Sequence, residues 1–191
     1  MFLKRDNPYL LVVGMAGVKM GDRMLQIGCG HGGRLGALAA MVGLSGRATA
    51  VVPDEASAAR ARRGAADAGA LVEVEVASAT RLTIEDGSFD LVVVDDTTGV
   101  LGSLRAEDRV ASVRELFRVL GPGGRVVLIG TAPRGGLGAL IFRTRGGPPW
   151  VASRAAVTAL EADGFKSARM LAEREGLAFA EGIKPRTSAR G

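Results

Sequence analysis

The sequence is most constrained by residues 24–33, where a run of apolar residues leads into a cluster of glycines. The apolar run ends at Ile27, and beyond the glycines apolar residues recur at the spacing of one helix face, at Leu35, Leu38, Ala39 and Val42. Glycine allows a tight turn and the close approach of a ligand, and a helix N-terminus offers free N–H groups. The stretch therefore predicts a strand, a turn and a helix in succession, an arrangement typical of nucleotide-binding corners.

The glycine cluster fits two binding patterns at once. Gly28, Gly30 and Gly33 satisfy the G-x-G-x-x-G of dinucleotide-binding folds. Gly28, Gly30 and Gly32 satisfy the G-x-G-x-G of proteins that bind S-adenosylmethionine. Because a glycine match is weak evidence by itself, the rest of the chain has to distinguish the two.

Composition and charge limit the function classes. With 191 residues, 47% of them hydrophobic and 24% charged, the chain has the composition of one globular domain with a sizeable core. The net charge of +5 raises the question of nucleic-acid binding, but the arginines are spread out and lack interleaved aromatics, which disfavours it. A single cysteine excludes an intramolecular disulfide and is compatible with a reducing, cytoplasmic location, which we expect. The apolar run at residues 10–18 is far shorter than the roughly 20 residues that cross a bilayer, so we expect no transmembrane segment.

Strand and helix patterns alternate along the chain. Further strands are predicted at residues 48–52, 71–76, 89–94, 125–130, 165–171 and 177–182, and further helices at 55–68, 103–120 and 150–162. Residues 71–76 alternate apolar and charged side chains, which suits a sheet edge, whereas the continuous apolar run at 89–94 suits a central parallel strand. The alternation predicts a doubly wound α/β sheet in a single domain.

The domain is expected to span residues 1–183, with a short leader at 1–9 and a flexible tail at 184–191. Residues 133–149 are rich in glycine and predict a loop around a short apolar piece at 137–142.

Nearly the whole chain, from about residue 12 to 184, resembles the class I S-adenosylmethionine-dependent methyltransferases, particularly the branch of ubiquinone and menaquinone C-methyltransferases. The segments that carry the resemblance are 17–30, 86–92, 114–125 and 164–184. Residues 118–124 and the closing hairpin are more specific than the glycine turn, and they disfavour a dinucleotide. The resemblance implies a Rossmann-like sheet of seven strands, mostly parallel with one antiparallel strand, in the order 3-2-1-4-5-7-6. S-adenosylmethionine would lie across the carboxyl ends of its first, second and fourth strands.

The resemblance also implies which residues contact the cofactor: Gln26, Gly28, Cys29, Gly30, Gly32, Val52, Pro53, Asp54, Ser78, Ala79, Thr80 and Asp95. Three positions depart from the family pattern. Gln26 and Ser78 stand where the family often has an acidic residue, and Val52 stands where a carboxylate usually holds the ribose hydroxyls. Asp54 either replaces that carboxylate or only caps the following helix.

Two carboxylates, Asp95 and Asp96, follow the fourth strand and are the candidate catalytic residues, because either could accept a proton from a substrate hydroxyl or amine. The alternative is that they cap the next turn. His31 is expected to face solvent at the start of the helix, the alternative being a place beside the cofactor carboxylate. Cys29 is expected to pack beneath the glycine turn. One histidine and one cysteine do not make a metal site, so none is expected.

The sequence therefore predicts a methyltransferase that acts on a small, apolar or aromatic acceptor, with residues 137–142 and Trp150 as a candidate wall of the acceptor site. The departures at Gln26, Val52 and Ser78 motivate an alternative, a non-catalytic binding or partner subunit with the same fold. A homodimer or a partner chain stays open, and nucleic-acid methylation ranks third.

Overall fold

The computed structural model describes residues 8–132 and 149–186. In this part of the chain the strands are β1 Arg23–Ile27, β2 Arg47–Val52, β3 Glu73–Val76, β4 Phe89–Asp95, β5 Leu120–Thr131, β6 Lys166–Arg174 and β7 Leu177–Ile183. The helices are α1 Leu10–Ala16, α2 Gly33–Val42, α3 Glu55–Asp67, α4 Ala106–Val119 and α5 Arg154–Ala162, with 3₁₀ turns at Asp96–Thr98 and Trp150–Ala152. None of the described helices is both long and apolar enough to cross a membrane.

The strands form one sheet in the order β3-β2-β1-β4-β5-β7-β6. Among the strands of the described residues, only β7 runs antiparallel to its neighbours, β5 and β6, and the other pairs are parallel. The order changes direction between β1 and β4, which is where ligands bind in open α/β sheets. The predicted fold class and strand order are confirmed.

Helices cover both faces of the sheet. On one face α1, α2 and α3 pack against Leu91 and Val93 of β4. On the other face α4 and α5 pack against Val92 and Val94. Burial on both faces explains why β4 is apolar without alternation, while β3 at the edge keeps its exposed Glu73.

Several predicted boundaries need correction. β5 begins at Leu120 and includes the glycine-rich residues 121–124, because Phe89 already pairs with Leu120 before the register shifts. Helix α4 begins at Ala106 and not at Ser103. The predicted helix at 150–162 is a 3₁₀ turn followed by α5, since Ser153 turns its hydroxyl back to the Trp150 carbonyl oxygen. The loop between β6 and β7 shortens to a turn at Glu175 and Gly176, both with positive φ.

Lys184, predicted to begin the tail, is held by the fold. Its Nζ donates to the carbonyl oxygens of Phe117 at 2.8 Å and Leu120 at 2.6 Å, at the end of α4. Its backbone N–H also donates to the Gly124 carbonyl oxygen. The predicted apolar piece at 137–142 and residues 187–191 lie outside the described residues.

Candidate functional site

The glycine turn follows β1, and at three positions its backbone adopts a conformation that favours glycine. Gly28, Gly30 and Gly32 have positive φ angles of 73°, 52° and 91°. A Cβ on Gly28 would lie 2.8 Å from the Asp95 carbonyl oxygen, and one on Gly32 would lie 2.2 Å from the Arg60 carbonyl oxygen. Gly33 is helical and lacks a positive φ. The strained positions are therefore those of the G-x-G-x-G pattern.

Gln26 lies beneath the turn with its side chain fully buried. Its Nε2 donates to the Gly28 carbonyl oxygen at 2.9 Å, a bond that an acidic side chain could not make when ionised. Its Oε1 is buried and has no hydrogen-bond partner among the described residues. Gln26 therefore supports the turn by donating to it, while supplying no charge.

Helix α3 is tied to the turn by Arg60, which sequence reasoning did not find. Its Nε donates to the Gly30 carbonyl oxygen at 3.0 Å, and its Nη2 donates to the Ser57 hydroxyl at 2.7 Å. Cys29 packs beneath the turn with its Sγ 3.3 Å from the Ser57 carbonyl oxygen, and burial raises the pKa of its thiol. The position that sequence analysis predicts for Cys29 agrees with the structure.

A cleft opens above the carboxyl ends of β1, β2 and β3. It consists of two adjoining cavities of about 380 and 290 Å³, both lined by Pro53, Val100 and Leu104. The larger cavity is more polar, and its other lining residues are Gly28, Cys29, Gly30, Asp54, Ser57, Arg60, Thr98, Gly99 and Ser103. The smaller cavity is mostly apolar and is completed by Ile27, Val51, Val52, Ala77, Ser78 and Ala79.

Val52 ends β2, and together with the next two residues, Pro53 and Asp54, it lines this cleft. Val52 is buried, and Asp54 is exposed at the N-terminus of α3. The Asp54 carboxylate accepts a hydrogen bond from the Ser57 backbone N–H at 2.7 Å, and this bond is the main reason that its pKa lies below the usual range. Asp54 is thus an N-cap whose side chain also borders the polar cavity.

Ser78, Ala79 and Thr80 follow β3 near the apolar end of the cleft. Ser78 and Ala79 line the apolar cavity. Thr80 does not line it, and its hydroxyl instead pairs with the Ser78 hydroxyl at 2.8 Å. The three residues therefore leave one polar side chain, Ser78, at the apolar end of the cleft.

Asp95 ends β4 directly beside the glycine turn, with no exposed surface. Its carboxylate accepts from the Thr97 hydroxyl at 2.6 Å and from Arg34 Nη1 at 3.1 Å. Arg34, in the first turn of α2, was missed by sequence reasoning. A basic residue just after a glycine turn was the available signal.

Asp96 lines neither cavity of the cleft and is bonded within its own loop. Its Oδ1 accepts from the backbone N–H groups of Leu101 at 2.7 Å and Gly102 at 2.9 Å. Burial raises the pKa of this carboxyl, against the opposing effect of the two amides. The Arg109 guanidinium donates to three carbonyl oxygens of this loop, those of Leu101, Gly102 and Leu104. It also lies 5.4 Å from the centroid of the Trp150 ring. These contacts correspond to the capping alternative for Asp96.

His31 is exposed at the start of α2, as predicted, and its Nδ1 accepts from the Gly33 backbone N–H at 3.2 Å. Across residues 8–132 and 149–186, no cluster of three or more histidine, cysteine or acidic side chains could hold a metal ion.

Comparison with known proteins identifies the family. The model of the family described as "Methyltransferase domain" matches residues 24–124, more than half of the chain. Norajmaline N-methyltransferase of Rauvolfia serpentina is 30% identical over 61% of this chain and 38% of its own length. The 27-O-demethylrifamycin SV methyltransferase of Amycolatopsis mediterranei is 34% identical over 61% of this chain and 41% of its own length. The chain spans 30% to 61% of the length of the first curated relatives that it matches.

Among solved structures, a SAM-dependent methyltransferase from Aquifex aeolicus superposes with a TM-score of 0.70. The superposition covers 93% of this chain and 89% of that one, at 21% sequence identity, and it supports the fold. The strained glycine turn, the strand order and the family match agree with one another, and the chain belongs to the methyltransferase domain family with the class I fold.

Proposed function

We propose that this protein is an S-adenosylmethionine-dependent methyltransferase that acts on a small, apolar or aromatic acceptor. The observation that carries the proposal is the cleft, whose polar cavity adjoins the strained glycine turn and whose second cavity is apolar. This division matches a nucleoside, with a flat purine in the apolar cavity and a polar ribose in the polar one.

The residues present fit this cofactor. The apolar cavity between Val52, Ala79 and Leu104 would hold the adenine, with Ser78 as its polar contact. Asp54, two positions beyond Val52, would hydrogen-bond the ribose. It would thereby replace part of the contact that a carboxylate at position 52 would make. Losing a charged contact with both ribose hydroxyls weakens binding by about 1.5–3 kcal/mol, or ten- to a hundredfold, so we expect affinity to be reduced and not abolished.

When bound, S-adenosylmethionine supplies a methyl group on a positively charged sulfur. The protein then has to hold the acceptor in line with that methyl group and keep water away, and such positioning provides most of the acceleration. Of the two candidate catalytic carboxylates, Asp95 is the one that reaches the glycine turn. The contacts of Asp96 lie within its own loop, so we infer that Asp96 positions residues 101–102 and does not act on the acceptor.

Trp150, a candidate wall of the acceptor site, is buried in the core against Arg109 and lines neither cavity, so the support for an apolar acceptor comes from the relatives. Two of the relatives, the methyltransferases for norajmaline and 27-O-demethylrifamycin SV, are named for small-molecule acceptors. The resemblance to quinone methyltransferases points to the same acceptor class.

Thermal unfolding in the presence of ligands tests the cofactor. At a hundredfold excess over its dissociation constant, S-adenosylhomocysteine stabilises a folded binder by about 2.7 kcal/mol, which raises the melting temperature of a chain of this size by roughly 5–10 °C. We expect that rise with S-adenosylhomocysteine and none with NADH. No rise with millimolar S-adenosylhomocysteine would contradict the proposal and favour the non-catalytic partner subunit.

A further inference from the structure

An ion pair closes the cleft above the glycine turn. Arg34 Nη1 and Asp95 Oδ2 lie 3.1 Å apart, and both lie 3.2 Å from the position that a Cβ on Gly30 would occupy. Neither side chain lines the two open cavities. The nucleoside end of the cleft is therefore open, whereas the space directly over Gly30 is filled by two opposite charges.

The Asp95 carboxylate accepts hydrogen bonds from two residues, Thr97 and Arg34. Oδ1 accepts from the hydroxyl and the backbone N–H of Thr97 and, at 3.4 Å, from Arg34 Nη1. Oδ2 accepts from Arg34, which is the one cation bonded to Asp95 among the described residues. The Asp95 side chain has no exposed surface and that of Arg34 is only 15% exposed. A buried carboxylate without a counter-charge is strongly destabilising, so Arg34 leaves Asp95 only when another cation replaces it.

We propose that the Arg34–Asp95 pair is the receptor for the amino-acid end of the ligand and works by exchange of partners. On binding, Asp95 replaces the Arg34 guanidinium with the ligand's ammonium group, and Arg34 replaces the Asp95 carboxylate with the ligand's carboxylate. An α-amino acid carries both charges on one carbon, so every buried charge stays paired before and after the exchange. This inference rests on the proposed function.

The exchange explains how the site works without an acidic residue at position 26. Gln26 donates to the Gly28 carbonyl oxygen and carries no charge for the ligand's ammonium. Asp95, on the neighbouring strand, supplies that charge from the other side of the turn. The pair consequently determines specificity, since a nucleoside without an amino-acid end cannot open it.

Calorimetric titration with two probes tests the exchange. S-adenosylhomocysteine has the amino-acid end, and 5′-methylthioadenosine has the same nucleoside without it. We expect the wild type to bind S-adenosylhomocysteine at least about tenfold more tightly. Arg34→Gln and Asp95→Asn should each lower the affinity for S-adenosylhomocysteine about tenfold or more and leave that for 5′-methylthioadenosine within about twofold.

The matched control is Arg60→Gln, a second arginine at the same turn but on the nucleoside side. It should weaken both probes by the same factor. Binding of 5′-methylthioadenosine also shows that a variant is folded. If Asp95→Asn loses it, the charge-neutral double variant Arg34→Gln/Asp95→Asn replaces it and is expected to bind both probes equally.

Two results overturn different claims. If Arg34→Gln binds S-adenosylhomocysteine as well as the wild type or more tightly, Arg34 only occupies the space over Gly30 and does not bind the ligand's carboxylate. The proposed exchange is then wrong. If the wild type binds neither probe at millimolar concentration, the proposed function itself fails.

Discussion

Gly32 in the glycine turn and Gly64 in α3 are in direct backbone contact: a Cβ on Gly64 would lie 2.2 Å from the Gly32 carbonyl oxygen. This contact lets α3 approach the turn closely enough for Arg60 to reach the Gly30 carbonyl oxygen. The shape of the binding turn therefore depends on a glycine more than thirty residues away.

We predict that Gly64→Ala lowers the free energy of unfolding by about 1–3 kcal/mol and weakens S-adenosylhomocysteine binding, because the added methyl group forces the turn and α3 apart. Urea unfolding and calorimetry measure the two effects. Gly14→Ala is the matched control, since Gly14 lies in α1 and a Cβ there meets nothing within 4 Å. It should stabilise the protein by about 0.5–1 kcal/mol. A neutral Gly64→Ala would show that the contact is not tight.

Asp54→Ser separates the two roles of Asp54. Serine is also a good N-cap, so we expect the free energy of unfolding to stay close to that of the wild type. If Asp54 holds the ribose, affinity for S-adenosylhomocysteine should fall about tenfold in calorimetry. Unchanged affinity would mean that Asp54 only caps α3.

The effect of Asp96 on the free energy of unfolding is expected to depend on pH. Burial raises the pKa of its carboxyl, so the folded protein favours the protonated form, and stability falls as the pH rises through the raised pKa. Asp96→Asn keeps an acceptor for the two amides and does not ionise, and its stability relative to the wild type should therefore improve with rising pH. Asp96→Ala leaves both amides unpaired and should cost about 1–3 kcal/mol throughout. Urea unfolding between about pH 4 and pH 8 measures the free energy of unfolding of both variants. The account would be contradicted if the wild type became more stable relative to Asp96→Asn as the pH rises.

Arg118 links α4 to the loop before β4. It pairs with Glu115 and donates to the carbonyl oxygens of Leu82 and Ile84. The hydrogen bond from Arg118 lowers the pKa of Glu115, so this contribution is present above the ordinary carboxyl pKa and is lost as the pH falls through the lowered value. Arg118→Gln should thus lower the free energy of unfolding by about 1–3 kcal/mol at neutral pH and by less in acid.

The control for Arg118 is Arg114→Gln on the same helix. The side chain of Arg114 is 71% exposed in its pair with Asp163, and such pairs contribute about 0–1 kcal/mol. Equal losses for the two variants at neutral pH would show that the carbonyl contacts of Arg118 add nothing.

Much of the fold could be predicted because its signals are local. The glycine cluster located the turn, and apolar patterning located the buried β4 and the half-exposed β3. The resemblance to the family supplied the strand order. Boundaries were less predictable where pairing overrides local preference, as at Leu120, where β5 begins in a glycine-rich stretch because it pairs with Phe89.

The site was only partly predictable because its contacts join distant residues. The sequence named Gly28, Gly30 and Asp54 as cofactor contacts, and the structure places all three at the polar cavity. The pairing of Arg34 with Asp95 and that of Arg60 with Gly30 depend on how α2 and α3 meet the sheet, and no local pattern encodes that meeting.

The central claim is that the turn at Gly30 is a working cofactor site. Calorimetric titration of the wild type, Gly30→Trp and Gly14→Trp with S-adenosylhomocysteine tests it most directly. The indole at position 30 would meet Arg34 and Asp95 and fill the cleft, whereas position 14 is open. We predict micromolar binding, within about a factor of ten, for the wild type and Gly14→Trp and none for Gly30→Trp. Equal binding by all three, or none by the wild type at millimolar ligand, would contradict the account.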